Sequence, residues 1–144
     1  MTQNLYESDF YAWANEQAVL LRAGKLYAAD IENIAEEIES MGKSEKRELI
    51  NRLTVLLLHM LKWQFQPDRR GKSWVRTIKE QRIALDRHIT DNPSLKSKRV
   101  EAITDAYRVS LIGAVDETDL PESAFPAVCP WSFEQIMDDG FWPK

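Results

Sequence analysis

One cysteine, Cys129, is all that this chain of 144 residues contains. That excludes an internal disulfide, a CxxC redox pair and a cysteine-built zinc site. Glycine and proline are scarce, at five and six residues, which argues against a turn-rich β architecture. Long hydrophobic runs are missing as well. The longest, from Val55 to Leu61, is broken by His59 and falls far short of the ~20 residues that a membrane-spanning helix needs. The N-terminus has no basic stretch and carries Glu7 and Asp9, so no secretory signal is expected and the default is a soluble cytoplasmic protein.

What is present is ordinary in amount and uneven in placement. Hydrophobic residues at 44% and charged residues at 29% suit a globular chain long enough to bury one core, read as a single helical domain over residues 1–144. Residues 1–41 hold eight acids against two bases, residues 62–87 eight bases against three acids, and residues 111–144 seven acids against one base. A basic middle between acidic ends marks a partner surface or lets the ends fold back on the middle.

Apolar residues recur at helical spacing. Phe10, Trp13, Ala14, Gln17, Leu20 and Leu21 predict a first helix from Asp9 to Ala23, capped by Ser8 and stopped by Gly24. Ile31, Ile34, Ala35, Ile38 and Met41 predict a second, ended by Gly42. Ser44 then caps a third that reaches Phe65 and is apolar all round from Val55, as expected of a central, buried helix. Gln66 to Gly71 is a turn. A fourth helix follows from Trp74 to Thr90 through Val75, Ile78, Leu85 and Ile89, and a fifth runs to Glu117 through Val100, Ile103, Tyr107, Leu111 and Val115. The tail, 119–144, combines four prolines with Phe125, Trp131, Phe133, Phe141 and Trp142, and Ser132 with Gln135 forms a capping-box pattern. It reads as an ordered strap on an all-α bundle of about five helices.

The segments DFYAWANEQAVLLRAG (9–24), DIENIAEEIESMGKSEKREL (30–49), LLLHMLKWQFQPDRR (56–70) and SWVRTIKEQR (73–82), with FPAVCPW and FWP in the tail, together resemble the bacterial domain-of-unknown-function family number twenty-nine. The resemblance covers nearly the whole chain. It implies an all-helical domain and carries no activity with it, so no catalytic residue is transferred.

The residues themselves contain no catalytic set. Helical di-iron sites use Glu-x-x-His motifs, but Leu56 stands three before His59 and Leu85 three before His88. Glu36, Glu37 and Glu39 therefore read as a solvated or ion-paired face, and neither metal nor cofactor is expected. His59 reads as a neutral core imidazole, His88 as exposed, and Cys129 as a structural thiol with no adjacent base. Arg82 falls on the apolar stripe of the fourth helix. Either it joins a buried polar network with Asp30, Glu36, Glu37 and His59, or it sits at the stripe edge and reaches water.

The basic hairpin 66–79, with Arg69, Arg70, Lys72, Arg76 and Lys79, is the candidate interaction surface. A non-catalytic module that binds a protein partner is the leading reading. The alternative is a nucleic-acid-associated protein, with these cations on phosphates and Trp63, Phe65 and Trp74 stacking on bases. The pI near 5.3 weighs against that alternative. No membrane partner is expected, and the sequence leaves the oligomeric state open.

Overall fold

The computed structural model describes residues 4–144. Among the described residues there are six α-helices and no strand: α1 (Leu5–Ser8), α2 (Phe10–Arg22), α3 (Ile31–Phe65), α4 (Lys72–Asp91), α5 (Arg99–Thr118) and α6 (Phe133–Met137). The all-α class expected from periodicity is the class observed. Two compact units form, the first ending at Ser44 and the second running Glu45–Lys144.

In the first unit, Asp9 rather than Ser8 caps α2, accepting from Ala12 N at 3.1 Å. Gly24 ends that helix region at φ 73°, a conformation that only glycine adopts without strain. Tyr6, Phe10 and Trp13 cluster with ring centroids 4.7–5.7 Å apart. Asp30 is the polar hub. Its carboxylate accepts from Trp13 Nε1 at 3.0 Å and Asn33 Nδ2 at 2.8 Å, while its backbone N–H donates to Gln17 Oε1 at 2.7 Å. The Asn33 and Trp13 bonds hold the Asp30 carboxyl below its ordinary pKa. Ile31, Ile38 and Met41 are exposed, so the stripe expected to be buried lies open.

The predicted break between the second and third helices is absent. Gly42 lies within α3, which is continuous over 35 residues. A glycine costs a helix about 1 kcal/mol relative to alanine, too little to stop one that strong helix formers flank on both sides. Ser44, expected to cap a new helix, instead donates its hydroxyl to Ser40 O at 3.1 Å, one turn back in the same helix.

In the second unit, Leu49, Leu53, Leu56, Leu57, Met60 and Leu61 of α3 are fully buried, which fits the all-round apolar pattern. From α4, Ile78, Leu85 and Ile89 pack against them, as the stripe predicted. The buried face of α5 is the predicted one only in part. Val100 is exposed, Tyr107 is buried as predicted, and the other buried residues are the small Ala102, Ala106, Ser110, Ala114 and Thr118. Small side chains let α5 approach α3 closely: Ser110 Oγ donates to Thr54 O at 2.8 Å, and a Cβ on Gly113 would stand 3.3 Å from Leu58 Cδ1. The larger Ile103, Leu111 and Val115 flank that seam, half-buried.

The strap is ordered. Phe125 packs edge-on to Phe65 with centroids 5.0 Å apart, Trp131 and Ile136 are buried, and Trp142 lies 4.8 Å from Trp63. Ser132 and Gln135 form the expected capping box on α6. Tyr107 Oη donates to Pro126 O at 2.6 Å, tying the strap to α5. Tyr107 is correspondingly a weak acid, its pKa pushed up to about 12 by burial.

Candidate interaction surface

The chain leaves α3 at Phe65, makes a single 3-10 turn over Pro67–Arg69, and enters α4 at Lys72. Gln66 Nε2 donates to Thr118 O at 3.1 Å and anchors the turn to the end of α5. On α4, Lys72, Val75, Arg76, Lys79 and Ile83 follow helical spacing and share one face. With Trp63 and Arg70 they line an open groove of about 540 Å³. Its floor is apolar, and Ile83 in it is 60% exposed. Its rim is basic. The first turn of α4 carries no acidic residue, so the positive end of the helix dipole adds to the charge of Lys72.

The cations singled out in the sequence do not act as one set. Lys72 and Lys79 line the groove, are exposed and form no ion pair among the described residues. Arg76 reaches Glu80 only at 3.8 Å, on open surface. Arg69 is exposed on the turn and lies outside the groove lining. Arg70 is largely structural: Nε donates to Trp63 O at 2.7 Å, and the guanidinium lies 4.8 Å over the Trp63 ring. Lys62 is neutralised by Glu117 at 2.8 Å and stands over Trp74. The aromatics are committed as well, Trp63 to Trp142 and Phe65 to Phe125.

The expected network around Arg82 takes a different form. Arg82 is buried, at 2% exposure, but its hydrogen bonds go to main-chain carbonyls of the strap: Nε to Ile136 O at 2.7 Å and Nη2 to Phe141 O at 2.8 Å. Ile136 lies in the last turn of α6, whose carbonyls lack partners within the helix, so a cation is well placed there. Burial draws the Arg82 pKa down, and the charges of Asp139 and Asp138 oppose that. The carboxylates predicted as its partners are engaged within the first unit, Asp30 as above and Glu37 by the Tyr6 hydroxyl. That last bond pushes Tyr6 up to about 12.

A second hollow, of about 620 Å³, lies between α5 and the strap, with Arg99, Tyr107, Arg108, Val128, Cys129 and Phe133 in its lining. Cys129 is half-buried, its thiol donates to Trp131 O at 3.5 Å, and burial pushes its pKa up, as suits a structural thiol.

The family model described as Domain of unknown function DUF29 matches residues 5–142. The chain belongs to this family. No curated protein and no solved structure matches it. The DUF29 match runs through both units and includes the groove, Arg82 and the strap. No helix among the described residues of this DUF29 chain is long and apolar enough to cross a membrane.

His59 is less enclosed than expected, and His88 is far more enclosed. His59 is half-buried rather than enclosed, and its Nδ1 bonds Val55 O at 2.8 Å within its own helix. Burial lowers its pKa, with Lys62 adding to that and the Val55 carbonyl and Glu117 opposing it. The unfolded chain then takes up this proton more readily than the folded one. Stability from His59 is present above the ordinary histidine pKa and is lost as pH falls from there through the folded value. An NMR titration of the ring is expected to show a midpoint below about 6.5; an ordinary or raised midpoint contradicts it. His88, read as exposed, is buried at 7% exposure beside Glu45 and Glu48. The sequence offered no sign of this, because the two carboxylates lie on a different helix.

Proposed function

We propose that this DUF29 chain is a non-catalytic interaction module that docks an acidic, amphipathic protein segment in the groove of α4. The observation that carries the reading is the combination on one helical face of an apolar floor, half-buried Val75 and exposed Ile83, with the cations Lys72, Arg76 and Lys79. An acidic amphipathic helix would place apolar side chains on that floor and carboxylates on the rim, the helix-in-groove mode of recognition. The disposition of the aromatics favours a protein segment over a nucleic-acid strand. Trp63, Phe65 and Trp74, which would have to stack on bases, are packed on Trp142, on Phe125 and under Lys62. The non-catalytic part of the reading is supported by the structural use of Cys129 and His59, each bonded to a main-chain carbonyl.

The test is a titration of the full chain with a fluorescent helical peptide carrying leucine and glutamate on opposite faces, beside a single-stranded oligonucleotide. The peptide is expected to bind, and Lys72→Glu/Arg76→Glu/Lys79→Glu to weaken it by more than about tenfold, mainly through slower association. Tight oligonucleotide binding that falls steeply with salt, with the slope reduced by about three in the triple variant, supports the nucleic-acid reading instead. Unchanged peptide affinity in the triple variant removes the groove from function.

A further inference from the structure

Outside the groove, Glu45 and Glu48 on α3 and His88 on α4 bring one ligand atom each to within 4.8 Å of one another. We infer that these residues form a divalent-cation site of the zinc type, with Nδ1 of His88 and Glu48 Oε2, 3.5 Å apart, as the nearest pair of ligands and the Glu45 carboxylate, whose Oε2 stands 3.7 Å from Nε2, turning in as the third.

The inference rests on the state of the imidazole. His88 is more than nine-tenths buried, and its Nε2 lies 2.8 Å from the main-chain oxygen of Glu45. A carbonyl oxygen only accepts, so Nε2 carries the hydrogen. In the neutral ring the lone pair is then on Nδ1, and Nδ1 faces Glu48 Oε2 at 3.5 Å. Two acceptors facing each other repel unless a positive species lies between them. A carbonyl holding the far N–H of a histidine is also the usual outer contact of a metal-bound imidazole, because it fixes ring and tautomer.

The spacing suits an ion better than a proton. A hydrogen bond from Nδ1 would draw the carboxylate in to about 2.8 Å. Two ligand atoms, each about 2.1 Å from a tetrahedral zinc ion, stand about 3.4 Å apart. The Glu45 and Glu48 side chains are 48% and 44% exposed, so an ion has a route in and water can complete its coordination. One nitrogen with two carboxylates suits zinc, whereas calcium needs six to eight oxygens. Arg52 Nε donates to Glu48 Oε2 at 2.9 Å and holds that carboxyl below its ordinary pKa. Arg52 therefore becomes the outer contact that orients Glu48, and its charge limits the affinity.

The experiment uses the full chain, freed of metal and then dialysed against zinc chloride, with the imidazole nitrogens followed by NMR. One equivalent of zinc is expected. The Nδ1 resonance should shift to a metal-bound position while the Nε2 hydrogen is kept. Glu48→Gln and Glu45→Gln, both on partly exposed side chains that the fold tolerates, should each weaken uptake by about tenfold or more. A calcium excess should not compete. Either of two results overturns the site: zinc uptake unchanged in the double variant Glu45→Gln/Glu48→Gln, or an Nδ1 resonance of His88 that does not move at a large zinc excess. No reading depends on His88→Ala, which removes a buried ring and endangers the fold.

Discussion

Arg82→Met is expected to destabilise the Glu45–Lys144 unit by about 3 kcal/mol or more, since each hydrogen bond to a charged group contributes about 1.5–3 kcal/mol. Methionine keeps much of the aliphatic stem and so isolates the loss of the guanidinium. Two carbonyls, of Ile136 and Phe141, would be left without their donor. The contact with Trp142, whose ring centroid is 5.4 Å from the guanidinium carbon, would go as well. Arg82→Lys should fall between the two, because a single ammonium cannot span both carbonyls as the planar fork does. Nη1 has no partner even in the parent, which trims the loss without cancelling it. Urea unfolding measures the effect. A methionine variant as stable as the parent would mean that the strap holds without this clamp.

Removal of residues 119–144 should have a larger effect. The segment contributes Phe125, Trp131 and Ile136 to the core, at 6%, 8% and 0% exposure. At about 1.5–3 kcal/mol for each fully buried large apolar side chain, these alone supply on the order of 5–9 kcal/mol. Typical domain stability is only about 5–15 kcal/mol. The truncated chain is therefore expected to lose cooperative unfolding and to associate through the uncovered faces of α3, α4 and α5. Calorimetry with light scattering reads both effects. A monomer with unchanged melting would show that the strap only decorates the bundle. The milder Ile136→Ala should cost about 2–5 kcal/mol.

The sequence made the core legible where burial leaves a periodic trace. The all-round apolar run of α3 marked a helix enclosed by others, and the stripe of α4 lay where Ile78, Leu85 and Ile89 are buried. Legibility ended where structure depends on main-chain groups or on distance along the chain. Arg82 stood out as a charge on an apolar stripe, but its partners are carbonyls, which no side-chain pattern advertises. Gly42 and Ser44 looked like punctuation, yet the cost of one glycine is smaller than the gain from continuing a helix of good formers. On α5 the hydrophobic stripe marks buried Tyr107 and the half-buried Ile103, Leu111 and Val115, but not the seam itself, where close approach to Leu58 selects alanine, serine and glycine. The grouping of His88 with Glu45 and Glu48 joins residues some forty positions apart, beyond any local spacing rule.

The clamp on Phe141 has a further consequence for the order of events during synthesis. Arg82 and Phe141 are 59 positions apart, and Arg70 and Pro143, whose carbonyl Arg70 Nη2 approaches at 3.4 Å, are 73 apart. The strap is translated after every helix it covers. At about 5–20 residues per second, the ribosome takes roughly 1–5 s to move from the end of α5 through Pro143. Until Ile136 and Phe141 have been made, neither main-chain acceptor of Arg82 exists and the nascent helices lack their cover. The second unit is thus one whose folding is timed by translation of its closing segment, and slow codons between 119 and 143 would lengthen the window in which chaperones engage it.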